Sequence, residues 1–96
     1  MLKSSKFLTL TQNGDNMKIY DFNGRKNICG ERVKAARKKL KLSQENLAAK
    51  LQLEGVIIER DSVSRIEIGT RFVADYEIAI LCRILNVTPA YLLGIE

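Results

Sequence analysis

Residues 42–71 contain two short amphipathic segments separated by a break, and this pattern limits the fold of the chain more than any other feature. Ser43 is a typical helix N-cap, and apolar residues recur behind it at helical spacing until the chain is interrupted at Gly55. A second periodic segment, residues 60–68, is followed by Gly69, a residue type that commonly ends helices. The region therefore predicts two consecutive short helices joined by a turn.

Further helices are predicted on both sides of this pair. Residues 28–40 and 75–85 each have an apolar stripe at helical spacing, and Asp75 is expected to be the N-cap of the second. The two stripes consist of Cys29, Val33, Ala36 and Leu40, and of Ile78, Leu81, Cys82 and Leu85. Both helices are therefore expected to bury one face.

A short last helix is predicted from its boundary residues. Thr88 can cap it, Pro89 suits the first helical position, and Gly94 can close it. Five short helices with tight connections predict an all-α fold, a compact five-helix bundle over residues 28–94.

Residues 1–27 differ from the rest of the chain. Polar and apolar residues alternate on both sides of Asn13 and Gly14, the dipeptide that most favours a two-residue hairpin turn. The pattern predicts a β-hairpin over residues 6–22, followed by a polar linker. A lone hairpin is marginal in water, so an unstructured tail is the alternative, and Met17 is an alternative start of the protein.

Positive charge is concentrated in one part of the sequence. The net charge is +5, but residues 25–41 alone carry +7, leaving −2 for the remainder. Such a segment suits a polyanionic partner, although a solvated helix face with a basic linker would give the same composition. Neither a signal peptide nor an apolar run long enough to cross a membrane is visible, so we expect a cytoplasmic protein without a membrane partner.

Residues that support catalysis or metal binding are scarce. The chain has no histidine, and its two cysteines, Cys29 and Cys82, lack metal-ligand spacing. We expect two partly buried thiols, with a disulfide as the alternative. Without a nucleophile–base pair or a glycine-rich phosphate loop, the sequence predicts no enzyme, no cofactor and no metal site.

Three pieces of the sequence resemble the Cro and phage-repressor class of helix-turn-helix domains, the xenobiotic-response-element family. They are LSQENLA at 42–48, VSRIE at 63–67 with the glycine at 69, and LNVTPAYLLG at 85–94. The resemblance covers residues 28–94 and implies a lambda-repressor-like DNA-binding bundle whose third helix reads the major groove. The sequence departs from the family pattern at three places. The connection at 52–59 is longer, Ile68 stands where a polar or basic residue is common, and Glu59 replaces the usual small polar cap.

The resemblance implies a sequence-specific DNA-binding transcriptional regulator, a repressor in the simplest case, that binds double-stranded DNA through residues 60–68. If Val63 and Ile66 face the bundle, helical geometry turns the polar side chains of this helix outward. Arg65 is the best-suited of them for a guanine, because its fork matches O6 and N7. Asp61 has two interpretations, since it can accept from a cytosine amino group or cap the helix. The expected DNA-binding residues are Gln44, Arg60, Asp61, Ser62, Ser64, Arg65, Thr70 and Arg71.

Two further residues have a structural assignment from the resemblance. It implies an ion pair between Arg37 and Glu67 that orients the third helix and does not contact DNA. Gln44 is implied to hold a phosphate at a helix N-terminus, and Thr70 and Arg71 to meet the DNA backbone.

A single domain of this kind reads few base pairs, so we expect a homodimer, at least on DNA. Any dimer would use the bundle or the N-terminal extension. The alternative function is a protein-interaction module, such as an antitoxin or a partner of another regulator, with the acidic connection at 54–61 in the interface.

Overall fold

The computed structural model describes residues 21–95, which form five α-helices and no regular strand. We number them α1 (Gly30–Lys39), α2 (Gln44–Leu53), α3 (Arg60–Ile68), α4 (Asp75–Leu85) and α5 (Pro89–Leu93). The predicted all-α, five-helix fold is confirmed. The predicted hairpin at residues 6–22 lies, apart from its last two residues, outside the described residues, as does Met17.

Every helix contributes to one apolar core. The largest fully buried side chains come from all five helices: Val33 of α1, Leu47 and Leu51 of α2, Val63 and Ile66 of α3, Leu81 of α4 and Leu92 of α5. Each such side chain contributes roughly 1.5–3 kcal/mol when it leaves water. Helix α3 packs against both α1 and α2, so its inner face is held by the two helices that precede it.

Helix α2 begins as its sequence predicts. The Ser43 hydroxyl accepts from the Asn46 backbone N–H at 2.9 Å, and the Asn46 side chain accepts from the Ser43 N–H at 3.1 Å. This reciprocal cap satisfies two backbone donors that the helix leaves unpaired. Helix α5 is also bounded as predicted, with Thr88 as N-cap and Gly94 closing it in the left-handed conformation at φ 74°.

Two predictions at helix ends are wrong. Helix α4 has Ala74, not Asp75, at its N-cap position, because Glu77 reaches back and accepts from the Ala74 N–H at 3.0 Å. Leu40, predicted to be buried, is 44% exposed. Helix α1 ends at Lys39 and the backbone turns at Lys41 (φ 61°), so Leu40 leaves the buried stripe.

The connection between α2 and α3 is anchored by two buried residues. Gly55 turns the chain at φ +92°, and Val56 and Ile58 then insert into the core at 5% and 3% exposure. Ile57, between them, is 97% exposed because successive side chains of extended backbone point to opposite sides. The longer connection is therefore packed against the core, and α3 begins at Arg60, as the sequence predicts.

The segment before α1 does not behave as the predicted linker. Asn23 and Gly24, both with positive φ, form a tight turn in which Phe22 and Arg25 exchange backbone hydrogen bonds of 2.7 and 3.0 Å. The Lys26 N–H then donates to the Gly69 carbonyl at 2.7 Å. This part of the chain is therefore attached to the bundle. No helix within residues 21–95 is long and apolar enough to cross a membrane.

Candidate nucleic-acid interface

Helix α3 has an apolar inner face and a polar outer face. Val63 and Ile66 are buried, as predicted. The polar side chains predicted to point outward do so: Arg60, Asp61 and Arg65 are exposed, and Ser62 and Ser64 are half-buried. Ile68 is also exposed. Charged and hydroxyl groups therefore lie together on the outer face of α3, where a partner can contact them.

Arg65 lies exposed on this face with a weak internal contact. Its Nη2 donates to the Ser62 hydroxyl at 3.2 Å, one turn earlier. A hydrogen bond of this kind is worth about 0.5–1.5 kcal/mol, so an acceptor pair on a base edge can replace it at small cost. The guanidinium fork is thereby available for two-point recognition.

Arg60 and Asp61 neutralise each other at the start of α3. Arg60 Nη2 lies 2.8 Å from Asp61 Oδ1, with 57% and 68% of the two side chains exposed. An exposed pair contributes only about 0–1 kcal/mol. Asp61 makes no side-chain cap, since the N-cap position is held by Glu59, but its charge suits the positive end of the helix dipole.

Arg37 and Glu67 form a buried ion pair behind the outer face. Arg37 Nε and Nη2 donate to the two carboxylate oxygens of Glu67 at 2.6 and 3.0 Å, and the side chains are 9% and 2% exposed. Arg37 Nη1 also donates to the Leu42 carbonyl at 2.8 Å. The pair expected from the family resemblance is thus present and joins α1 to α3.

Gln44 adds α2 to the same network. Its Nε2 donates to Glu67 Oε1 at 3.0 Å, so the amide is held by the carboxylate that anchors α3. The amide nitrogen has a second hydrogen, and Gln44 is the first residue of α2, where backbone N–H groups and the helix dipole favour an anion. The site has the donors that a phosphate needs, next to α3.

Arg71 has a structural partner that the sequence did not reveal. Its Nη1 and Nη2 donate to the two carboxylate oxygens of Glu77 at 3.0 and 3.1 Å, and Nη1 also donates to the Phe72 carbonyl at 2.9 Å. Burial would raise the pKa of Glu77, but the Arg71 hydrogen bonds, the Ala74 N–H and the Arg71 charge outweigh it and lower that pKa. The predicted phosphate contact of Arg71 would have to compete with this pair.

Thr70 is exposed immediately after α3. Its hydroxyl lies 3.4 Å from the Arg65 carbonyl, and its backbone N–H donates to the same carbonyl at 2.9 Å. The second bond closes the end of the helix, while the hydroxyl remains at the surface. Thr70 therefore presents an exposed hydroxyl beside the outer face. Its one donor hydrogen would have to leave the long bond to the Arg65 carbonyl in order to meet the DNA backbone.

The two cysteines and the acidic side chains do not form a metal site in the part of the chain that is described. Cys29 and Cys82 are buried free thiols, and burial raises the pKa of Cys29 to about 11. Within residues 21–95, no three cysteine or acidic side chains are grouped closely enough to hold a metal ion.

Comparison with known proteins agrees with this geometry. The model of a family described as helix-turn-helix matches residues 33–92, and the chain belongs to this family of Cro and phage-repressor type DNA-binding domains. It is not a family of enzymes. Among solved structures, the chain is similar to the P22 c2 repressor protein in complex with a synthetic operator. The two share 27% identity with a TM-score of 0.61, covering 73% of this chain and 98% of that one. A search of curated proteins found no match.

Proposed function

We propose that the protein is a sequence-specific DNA-binding transcriptional regulator, and specifically a repressor, that reads the major groove with α3. The observation that carries this proposal is the two-sided character of α3: an apolar face locked to α1 and α2, and an exposed face that presents Arg65. The family supports the DNA-binding function. The similar P22 c2 repressor, solved with an operator, supports the choice of a repressor.

The side chains of α3 divide by the contact that each suits. Arg65 fits a guanine, since two donors in a fixed fork match O6 and N7. Ser62 and Ser64 lie beside it on the outer face and suit shorter-range contacts to bases or sugars. Asp61 suits a cytosine amino group only after its pair with Arg60 opens, which would free Arg60 for a phosphate.

Contacts to the sugar-phosphate backbone set the register of α3 without reading sequence. We assign such contacts to Gln44 at the start of α2, whose amide keeps one hydrogen beyond its bond to Glu67, and to Thr70 after α3, whose exposed hydroxyl makes only a long bond to the Arg65 carbonyl. We assign Arg71 primarily to supporting the loop after α3, because both of its terminal nitrogens bind Glu77.

The proposal includes a symmetric dimer on DNA in the cytoplasm. Non-specific binding by such domains is weak, on the order of 10⁻⁴ to 10⁻⁶ M at physiological salt. Two copies on half-sites about one helical turn apart supply the missing discrimination.

Selection from a pool of randomised duplexes tests this proposal. We expect a palindromic sequence to be enriched, and its affinity to fall steeply as salt rises because several phosphates are neutralised. An enriched single half-site would contradict the dimer alone. No enriched sequence, together with weak and salt-insensitive binding, would contradict DNA recognition and leave a protein-interaction module as the better account.

A further inference from the structure

The side chain of Asn27 bridges the start of α1 and the end of α3. Its Nδ2 donates to the carbonyls of Ile66 at 3.0 Å and Arg71 at 2.8 Å. Its Oδ1 accepts from the Gly30 N–H at 2.9 Å. The amide thus uses both of its donor hydrogens and its acceptor. It pairs the Gly30 N–H, which the start of α1 leaves without an intrahelical partner, with a carbonyl in the last turn of α3 and one in the loop that follows.

Arg25 covers the same end of α3. Its guanidinium lies over Gly69, where a Cβ would come within 2.4 Å of Cζ, and its Nη2 is enclosed without a hydrogen-bond partner. A cation at this position interacts favourably with the negative end of the α3 dipole. Its Nε donates to the Asn27 carbonyl at 3.2 Å, which ties the two residues together.

The two helices approach closely at this point. A Cβ on Gly30 would lie 2.2 Å from the Ile66 carbonyl oxygen and 2.9 Å from that of Glu67. Only a residue without a side chain allows α1 to start this near to the carbonyls of α3. The Lys26 N–H contributes a further backbone bond, to Gly69.

We propose that the side chains of Arg25 and Asn27, together with the backbone N–H of Lys26, form a clamp that fixes the C-terminal end of α3 on the bundle, and that Arg25 and Asn27 are positioning residues for DNA reading. The Arg37–Glu67 pair holds α3 from its inner side, and the clamp stops its end from tilting away from α1. The clamp lies before the family match, which begins at residue 33. The inference rests on the proposed function, because position matters here only if α3 reads bases.

Two substitutions test whether the clamp affects base discrimination by positioning α3 or only through its charge. Asn27→Asp keeps the acceptor for Gly30 but removes both donors and sets a carboxylate against two carbonyl oxygens. Arg25→Gln removes the cation that covers Gly69. Lys26→Ala is the matched control, since it also removes one positive charge but leaves the backbone bond to Gly69 intact.

The measurement is the ratio of affinities for the selected duplex and a scrambled duplex, at one salt concentration and with folding verified by circular dichroism. We expect Asn27→Asp and Arg25→Gln each to lower this ratio at least about fivefold, as the loss of one base contact would. Lys26→Ala should weaken binding to both duplexes alike, leaving the ratio within about twofold of wild type.

Ratios equal to that of the control in both clamp variants would overturn the inference. If Asn27→Asp fails to fold, the result for Arg25→Gln alone tests the inference. This substitution changes a half-buried side chain with one internal hydrogen bond, so we expect the variant to fold. A wild-type protein without sequence preference would contradict the proposed function itself, and the clamp proposal would fall with it. A selective wild type with unaffected variants would contradict only the clamp.

Discussion

Arg37 and Glu67 meet through two hydrogen bonds, of 2.6 and 3.0 Å, in a site that is almost closed to water between α1 and α3. Gln44 donates to the same carboxylate, so three helices converge on Glu67. Glu67 lies on the inner side of the helix that exposes Arg65. The geometry of the outer face therefore depends on a charged contact in the interior.

Removing one side of this pair should strongly destabilise the protein. Arg37→Ala leaves the Glu67 carboxylate buried without its cation, and breaking such a pair costs about 3–5 kcal/mol. In a domain of this size we expect the melting temperature to fall by more than about 10 °C, as measured by circular dichroism. Lys38→Ala, an exposed neighbour on α1, is the control and should change little. An unchanged melting temperature in Arg37→Ala would show that the pair does not hold α3.

The Arg71–Glu77 pair should make the free energy of unfolding depend on pH in the acidic range. The pKa of Glu77 is lower in the folded protein than its ordinary value of 4.5, so the unfolded chain takes up the proton first as the pH falls. The stabilisation is complete above pH 4.5 and is lost as the pH drops through the lower folded pKa.

The substitution Glu77→Gln isolates this contribution. It should destabilise the protein at pH 7, and the difference from wild type should shrink at pH 3, because the unfolded wild-type chain has already bound its proton at Glu77 there. Urea unfolding at both pH values measures the difference. A gap that is the same at pH 7 and pH 3 would mean that the charge of Glu77 does not stabilise the fold.

Both cysteines should be unreactive while the protein is folded. Burial raises the pKa of Cys29 to about 11 and also raises that of Cys82, so both are neutral thiols at pH 8. Thiolate is the form that reacts, and both residues are buried, at 1% and 8% exposure. We expect alkylation at pH 8 to be slow and to accelerate with added urea. Complete labelling within seconds in native buffer would contradict the burial of these residues.

Local signals in the sequence were sufficient for most of the fold. The boundaries of α3, the cap at Ser43 and the Thr88–Pro89 start of α5 follow from helical periodicity and capping chemistry. These features depend on residues within one or two turns of each other. Local patterns of this kind can be interpreted without knowing the tertiary structure.

Three contacts were not predicted from the sequence: the Arg71–Glu77 pair, the hydrogen bonds of Asn27 and the turn at Asn23 and Gly24. Nothing in the periodicity of α4 links Glu77 to Arg71, although a glutamate three residues after a helix start often reaches back to the cap. Asn27 resembled a linker residue because its partners, Ile66 and Arg71, are 39 and 44 residues away. The Asn23–Gly24 turn had the same dipeptide signal as Asn13–Gly14 and could have been predicted.

The exposure of Leu40 has a related cause. Its spacing continues the apolar stripe of α1, but the helix ends one residue earlier. Periodicity predicts which face a residue would occupy in a helix, and it does not fix the residue at which that helix stops.

Competition binding with single-base-pair variants of the selected duplex measures whether Arg65 on α3 reads a base pair. Wild type, Arg65→Ala and the control Arg83→Ala, which removes the same charge from α4, would be compared. We predict that Arg65→Ala loses about 1–3 kcal/mol of discrimination at one guanine position and its symmetry mate, while Arg83→Ala keeps the wild-type profile. An unchanged base preference in Arg65→Ala would contradict the proposal that α3 reads a base pair through Arg65.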